Sequence, residues 1–284
     1  MYCYEIGGVG FGFDTDKELV EIGNYGLFRI DGAGFDSLRD KHFFTFADDE
    51  QKISGTEIFR TGSFSVYEND SGYVRVNNRF DEFAYKIVFA EKKGESGGII
   101  SFTDNGYQNL KTTSELFRVI DTESALLYYN ALMFHASFIE YEGKAILFSG
   151  APGAGKSTQA EIWKKYKNAE IINGDRVIIR LTENGWQAYG NPACGSSDIC
   201  VNRNVPLDTI VFVKQSPVNK VNELTKFDRF MRLTSQISCG VRKQNDTEKL
   251  MRLTEKLASE VRVAELECTA DERAADALIE AIGG

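Results

Sequence analysis

The alternation of apolar and polar residues indicates strands and turns along the first part of the chain. The clearest case runs from the alternating residues 63–67 through the polar turn 68–72 into the alternating residues 73–76. Two alternating runs joined by a polar turn that ends in glycine predict a β-hairpin. We therefore expect residues 1–110 to form a small β-rich domain.

The spacing of apolar residues changes to a helical period in residues 111–130. Ser114 is the expected N-cap, and Asp121-Thr122 is a candidate break in the helix. Six side chains give the apolar face: Leu116, Phe117, Ile120, Leu126, Leu127 and Tyr129. We expect a helical connector between the two halves of the chain.

Beyond residue 130, apolar runs and helical patterns together predict an α/β domain over residues 131–284. The runs 132–139 and 145–149 flank the turn 142–144, which predicts an antiparallel hairpin whose paired residue numbers sum to about 285. The remaining elements are expected in this order: a hairpin over 176–189, a strand at 210–213, helices near 222–237 and 246–260, a strand at 261–266, and a helix near 271–282.

The composition is that of a soluble globular protein with an acidic excess. Its 284 residues carry 33 Lys and Arg against 42 Asp and Glu, a net charge of −9. A surface that neutralises phosphates needs excess Lys and Arg, so nucleic acid is not an expected partner. The start of the chain lacks the pattern of a signal peptide, and no apolar run approaches the ~20 residues that span a bilayer. We expect a cytoplasmic protein that does not contact membranes.

The negative charge is concentrated in the first part of the chain. Residues 1–130 hold 22 acids and 13 bases, so they account for the whole net charge. Two interpretations stay open: a solvated acidic face that maintains solubility, or a surface that selects a basic partner.

The cysteines do not predict a zinc site. The number is odd and no C-x-x-C pair occurs among Cys3, Cys194, Cys200, Cys239 and Cys268, and the chain has only two histidines. Reduced thiols in a cytoplasm are the simplest interpretation.

One motif carries recognisable chemistry. Residues 150–158 match the phosphate-loop pattern G-x-x-x-x-G-K-[ST] in full, between an apolar strand and a helix expected over 156–167. Glycines let the backbone wrap around phosphates, and the N–H groups at the helix N-terminus attract the anion. Lys156 is expected to reach the β- and γ-phosphates and the Ser157 hydroxyl to bind Mg²⁺. The nucleotide-binding residues are therefore predicted to be Gly150, Ala151, Pro152, Gly153, Ala154, Gly155, Lys156, Ser157 and Thr158.

Two further residues are candidates for the same site. Asp175 follows the apolar pair Ile171-Ile172, as expected of a carboxylate that reaches a metal beside the loop, but it also fits a turn aspartate in Asn173-Gly174-Asp175. The register of the first hairpin sets His135 opposite Gly150, at the mouth of the loop. A histidine there holds a carboxylate or takes a proton, and the alternative is a histidine satisfied within the core.

Together these segments resemble the catalytic domain of HPr kinase/phosphorylase and its phosphoenolpyruvate carboxykinase-like relatives. The similarity covers roughly residues 125–284 and rests on four stretches in order: Phe134-His135-Ala136-Ser137, the loop 150–158, Gly174-Asp175-Arg176-Val177 leading into a hairpin, and Gly190-Asn191-Pro192. The resemblance implies an α/β P-loop domain with a mixed sheet, preceded here by the β-rich N-terminal domain.

The resemblance implies a kinase that uses ATP and Mg²⁺ to phosphorylate a hydroxyl. In that family's manner, Asp175 would act as base with His135 tuning it, and Ser157 and Asp175 would bind Mg²⁺. Similar proteins accompany modified-peptide pathways and include kinases for a serine of a lasso-peptide precursor, so a peptide or small-protein acceptor is expected. HPr kinases assemble as rings of subunits, which implies a homo-oligomer.

The chain departs from HPr kinases, which have a pair of aspartates where Gly174-Asp175 stands here. A single acid is left to act as metal ligand, base or both, and HPr itself is not the expected acceptor. Arg203 either contacts phosphate in place of the family's partner-binding loop or is a solvated loop arginine. Two other functions stay open: a kinase for a small-molecule hydroxyl, and a nucleotide-binding regulator without an acceptor.

Overall fold

The computed structural model describes residues 1–47, 53–77, 87–92, 95–102, 112–238 and 244–283. Contacts divide the chain into two units, Met1–Tyr129 with Gly240–Thr247, and Asn130–Cys239 with Glu248–Gly284. Each unit contains a large mixed sheet together with helices, so the α/β class is confirmed. The residue limits and roles assigned to the domains stay predictions.

The sheet of the first unit has these strands among the described residues: β1 (Tyr2–Ile6), β2 (Val9–Asp14), β3 (Arg29–Ile30), β4 (Lys41–Ala47), β5 (Thr56–Arg60), β6 (Phe64–Glu68), β7 (Gly72–Asn77), β8 (Ile87–Lys92) and β9 (Gly97–Phe102). Their order across the sheet is β3-β1-β2-β4-β9-β8-β7-β6-β5. The β2–β4 and β4–β9 pairs are parallel, whereas the other neighbours are antiparallel.

The hairpin predicted around residues 63–76 is confirmed. Strands β6 and β7 pair antiparallel from Phe64↔Asn77 to Glu68↔Tyr73. The side chain of Asn69 closes the turn, because its Oδ1 accepts hydrogen bonds from the N–H groups of Ser71 and Gly72.

Among the described residues up to Tyr129, the helices are α1 (Gly32–Ser37), α2 (Thr113–Val119) and α3 (Thr122–Tyr128), and a 3₁₀ turn covers Gly23–Phe28. The predicted break lies at Asp121, whose φ of 55° ends the helical path between α2 and α3. The predicted N-cap Ser114 was wrong: Thr112 caps α2, since its hydroxyl accepts from the N–H of Glu115 at 3.3 Å.

The sheet of the second unit has these strands: β10 (Ala131–His135), β11 (Ser137–Tyr141), β12 (Lys144–Ser149), β13 (Glu170–Asn173), β14 (Arg176–Thr182), β15 (Gly185–Tyr189), β16 (Asn204–Gln215), β17 (Lys220–Glu223), β18 (Ile237–Ser238) and β19 (Arg262–Cys268). The main order is β13-β11-β12-β16-β15-β14-β10-β18, with β19 between β16 and β17. Strands β12, β16 and β19 run parallel, so their carboxyl ends meet at one edge.

The helices beyond Asn130 are α4 (Lys156–Lys167), α5 (Lys226–Gln236), α6 (Gln244–Glu260) and α7 (Glu272–Gly283). The helix predicted near 222–237 is shorter, because residues 220–223 pair with β19 as β17. A core of buried apolar residues packs α4 and α7 against the sheet, with Phe148, Trp163, Val211, Leu266 and Leu278 at most 1% exposed. This packing holds the first turn of α4 in place.

Among the described residues, none of the helices combines the length and the apolar character that crossing a bilayer requires.

Candidate active site

The loop predicted to bind phosphate joins the carboxyl end of β12 to the first turn of α4. Its backbone has a positive φ at Gly150 (136°) and at Gly155 (106°), which favours glycine at both positions. Gly155 is the N-cap of α4 and has no side chain to satisfy the first N–H groups of the helix. Gln215 supports the loop by donating to the carbonyl oxygen of Gly153 at 2.8 Å. The loop therefore has the form of an anion-binding site at a helix N-terminus.

The side chain of Lys156 folds back along this loop. Its Nζ donates to the carbonyl oxygens of Gly150 (3.0 Å) and Ala151 (3.2 Å), and the residue is 9% exposed. Burial lowers the pKa of Lys156 below its ordinary value of 10.5, although the negative charge of Asp175 acts in the opposite direction. The ammonium lies where it can exchange two carbonyl partners for phosphate oxygens.

His135 does not pair across the first hairpin. Strands β11 and β12 follow the predicted sum of 285, from Ser137↔Phe148 to Tyr141↔Lys144. The apolar run 132–139 is interrupted at Ala136, however, and His135 ends β10, where it pairs with Arg176 of β14. The expected pairing of His135 with Gly150 was wrong. The apolar run 132–139 forms parts of two strands, and β10 pairs with β14 whereas β11 pairs with β12.

The interruption at Ala136 brings His135 to Asp175. The N–H of Ala136 donates to the carbonyl oxygen of Asp175 at 2.9 Å, and Nδ1 of His135 lies 3.3 Å from Oδ1 of Asp175. The hydroxyl of Ser149 donates to the carbonyl oxygen of His135 at 2.8 Å. Because Ser149 immediately precedes the phosphate loop, these contacts hold the imidazole and the carboxylate beside it.

The charge state of His135 depends on its neighbours. Burial and the positive charge of Lys156 lower the pKa of His135 below its ordinary value of 6.5, while the charge of Asp175 raises it. The imidazole is therefore uncharged at neutral pH, and it can orient the carboxylate of Asp175 without neutralising it. Both side chains are about one third exposed, which leaves them open to a substrate.

Asn173, which the sequence pattern indicated only as part of a turn, positions Asp175. It is fully buried, and its Oδ1 accepts from the N–H groups of Asp175 (3.0 Å) and Arg176 (2.9 Å). Its Nδ2 donates to the carbonyl oxygen of Asn191 at 2.7 Å. Asp175 is thus a turn aspartate and a neighbour of the phosphate loop at once. The signal was available, because asparagine before Gly-Asp is typical of such a turn.

The turn that carries Asp175 is covered by a short segment after β15. A Cβ built on Gly174 would lie 2.5 Å from the Cβ of Ser197, whose hydroxyl is held by the carbonyl oxygen of Cys194 at 2.8 Å. A Cβ on Gly195 would lie 2.7 Å from the Cβ of Asp175. In this chain, Ser197 occupies the space that a side chain at position 174 would need.

We expect the substitution Gly174→Ala to destabilise the protein. The added methyl group meets Ser197, and relieving such overpacking costs about 1–3 kcal/mol of the free energy of unfolding. Denaturant titration of the full chain measures the loss. Gly32→Ala is the matched control, since a Cβ there has open space. Ser197→Gly should restore most of the stability of the Gly174→Ala variant, and an unaltered stability of Gly174→Ala alone would contradict the packing argument.

Arg203 lies among acidic side chains. Its Nη1 is 2.8 Å from Oε2 of Glu140 and 2.6 Å from Oε2 of Glu170, and these two hydrogen bonds raise the pKa of the guanidinium. With its charge engaged by two carboxylates, Arg203 is not placed as a phosphate contact in this structure. The positive charge next to Asp175 comes instead from Arg176, whose Nε is 3.7 Å from Oδ2 of Asp175.

The oxygen donors near the loop fit a magnesium ion shared with a nucleotide. Ser157 is exposed at the start of α4, and Asp175 offers a partly exposed carboxylate. Within the described part of the chain, no cluster of three or more His, Cys, Asp or Glu could hold a metal ion. Mg²⁺ takes one or two protein oxygens together with phosphates and water, so Ser157 and Asp175 are the residues that would hold it.

Comparisons with known proteins do not show which family this chain belongs to. No family model and no curated protein matches the sequence. Among solved structures, the HPr(Ser) kinase/phosphatase from Coxiella burnetii aligns with 45% of this chain and 92% of its own, at 11% identity and a TM-score of 0.23. A TM-score this low does not establish a shared fold.

Proposed function

We propose that this protein is a kinase that transfers the γ-phosphate of ATP, with Mg²⁺, to a hydroxyl group, most simply a serine of a peptide or small protein. The observation that carries the proposal is the phosphate loop with Lys156 inside it and the His135–Asp175 pair beside it. The loop supplies binding of the phosphates, and the pair supplies a group that can accept a proton. A structural turn needs neither feature, and a simple anion site needs only the loop, so the combination of loop and pair favours a kinase.

Each of these residues would have a separate role in phosphoryl transfer. Lys156 and the N–H groups at the start of α4 bind the β- and γ-phosphates and offset their negative charge. His135 holds the carboxylate of Asp175 towards the acceptor. The acceptor oxygen attacks the γ-phosphorus, its proton passes to Asp175, and the bond from the γ-phosphorus to the β,γ-bridging oxygen breaks as ADP leaves. Ser157 and Asp175 would hold Mg²⁺, which offsets phosphate charge when bound.

Direct transfer to a peptide tests this function. The full chain is incubated with ATP and Mg²⁺ and a set of serine-containing peptides, each matched by a copy with alanine in place of serine. Mass spectrometry should detect one added phosphate on serine peptides alone. If ATP is converted to ADP with small hydroxyl compounds but with no peptide, the acceptor is a small molecule and not a peptide. Nucleotide binding without any phosphate transfer would contradict the kinase proposal.

The activity should fall at acidic pH because of His135. The folded-state pKa of this imidazole lies below 6.5, so it stays neutral at pH 7 and gains a proton only below its ordinary range. The protonated imidazole would form an ion pair with Asp175 and repel the ammonium of Lys156. Asp175 would then be a weaker base, and Lys156 would bind phosphate less tightly. The unfolded chain takes up this proton first, so His135 also lowers folding stability as pH falls through 6.5.

The measurement is kcat/KM between pH 5 and 8, together with NMR titration of the imidazole. The chain has two histidines, so the spectrum of His135→Gln assigns the resonances. We expect a midpoint below 6.5 for the acidic limb and its displacement in His135→Gln. An acidic limb that is identical in the two proteins would rule out the role given to His135.

We also propose a cytoplasmic location. None of the described cysteines, Cys3, Cys194, Cys200 and Cys268, is part of a disulfide, and this suits a reducing compartment. The substrate of such a kinase, ATP, is supplied in the same compartment.

A further inference from the structure

Arg176 begins strand β14 directly beside the His135–Asp175 pair. In the ladder between β10 and β14, the partner of Arg176 is His135, and directly paired residues of two neighbouring strands project from the same face of a sheet. The backbone of Arg176 is held in place, because its N–H donates to Oδ1 of the buried Asn173 at 2.9 Å. The guanidinium therefore projects from the same face as the imidazole.

The contacts of this guanidinium are long. Its Nε is 3.7 Å from Oδ2 of Asp175, its Nη1 is 4.0 Å from the sulfur of Met133, and the side chain is 44% exposed. Arg203 and Arg232, by contrast, are bonded to carboxylate oxygens at 2.6 Å and 2.7 Å. Within the part of the chain that the structure describes, the five N–H donors of Arg176 are thus not engaged by a close carboxylate. They are available to a ligand.

The two oxygens of the Asp175 carboxylate have different neighbours. Nδ1 of His135 lies 3.3 Å from Oδ1, whereas the guanidinium of Arg176 lies on the side of Oδ2. All three side chains are partly exposed, so a substrate can reach them. An acceptor hydroxyl that hydrogen-bonds to the carboxylate would therefore lie close to the guanidinium.

We infer that Arg176 is a further catalytic residue, whose guanidinium contacts the γ-phosphoryl group while it passes to the acceptor; the inference rests on the proposed function. During transfer the bond to the ADP oxygen breaks and the bond to the acceptor oxygen forms, with negative charge spread over the three equatorial oxygens. A planar guanidinium donates two parallel hydrogen bonds to such oxygens. Lys156 offsets this charge on the side of the loop, and Arg176 offsets it on the side of the acceptor.

Removal of the guanidinium should slow transfer without weakening nucleotide binding. In Arg176→Ala, we expect the rate constant for phosphorylation of a serine peptide to fall by about 10²-fold or more, while the affinity for ATP with Mg²⁺ stays within a few-fold. Arg176→Lys keeps the charge but lacks the planar fork, so it should retain less than about a tenth of the rate. Single-turnover transfer, calorimetry and thermal unfolding are measured on the full chain of each variant.

Free guanidinium ion separates a direct contact from a structural effect. At concentrations well below those that unfold the protein, it should restore part of the lost rate in Arg176→Ala, because it can occupy the space that the side chain leaves. A variant that is slow only because its structure has changed would not respond, and that result would overturn the inference.

Arg252→Ala is the matched control. Arg252 also pairs with a carboxylate, that of Glu248 at 3.5 Å, but its side chain is 70% exposed on α6. The rate of Arg252→Ala should equal that of the original chain and should not depend on guanidinium ion.

Three further results would overturn the inference. Transfer at the original rate in Arg176→Ala would show that the guanidinium does not act on the reacting group. Full activity in Arg176→Lys would indicate a charge that acts through Asp175 without the forked contact. Loss of ATP binding in Arg176→Ala would assign Arg176 to nucleotide binding and not to transfer. In each case the original chain still phosphorylates the peptide, so the proposed function stands. Absence of transfer by the original chain would instead remove the proposed function together with this inference.

Discussion

Replacement of Lys156 by alanine is expected to lower kcat/KM for phosphate transfer by about 10³-fold or more, which corresponds to about 4 kcal/mol of transition-state stabilisation. The ammonium lies inside the loop, bonded to the carbonyl oxygens of Gly150 and Ala151. Without it, stabilisation of the charge that develops between the β- and γ-phosphates depends on the backbone dipoles and on the Mg²⁺ that the site would hold.

The same substitution should leave the fold intact. Burial disfavours the charged form of Lys156, so the removal of a buried charge partly offsets the loss of its two hydrogen bonds to loop carbonyl oxygens. Steady-state release of ADP, phosphopeptide yield and thermal unfolding are measured on the same preparation. Lys164→Ala is the matched control on the exposed face of α4. Retained transfer in Lys156→Ala would remove the phosphate loop from the mechanism.

Asp175→Asn is expected to lower kcat by about 10²- to 10⁴-fold, the usual range for loss of a general base. The amide has nearly the same shape as the carboxylate, so the turn held by Asn173 and the segment over Gly174 stay in place. It cannot take a proton from the acceptor. Single-turnover transfer to a serine peptide measures the effect.

Binding measurements then separate the two roles that Asp175 could have. If it acts as base alone, the affinity for ATP with Mg²⁺ stays within a few-fold of the original. If it also binds the metal, that affinity falls, while the affinity for ATP in the presence of EDTA does not change. Glu161→Gln, on the exposed face of α4, controls for the loss of one negative charge. Transfer at the original rate would contradict both roles.

The backbone course of the glycine-rich loop 150–158 and its helix were predictable because they depend on neighbours in sequence. The pattern of residues 150–158 placed the loop, and the predicted helix 156–167 coincides with α4. Each relies on contacts within a few residues: glycine conformations, a helix start and hydrogen bonds along one turn. The hairpins around β6–β7, β11–β12 and β14–β15 were predictable for the same reason.

The surroundings of Asp175 were less accessible to prediction. Sequence patterns named Asp175 and His135 as candidates, but a register argument gave His135 the wrong partner. The contact between them arises because β10 ends at His135 and β11 begins at Ser137, and the two strands pair with different partners. Both strands are apolar, so the pattern of apolar residues does not show where one ends and the other begins. Ser197 was missed because its effect is steric and reaches Gly174 from a distant part of the chain.

By itself, therefore, the sequence determined the α/β class, the course of the glycine-rich loop 150–158 and the helix that follows it, and it named Asp175, His135 and Lys156 as candidates. Only the tertiary structure decided which groups meet: His135 with Asp175, and Ser197 over Gly174. The physical reason is the range of the interactions. Backbone conformation and capping act within one or two turns, whereas strand pairing and packing bring together residues whose separation along the chain leaves no periodic signal.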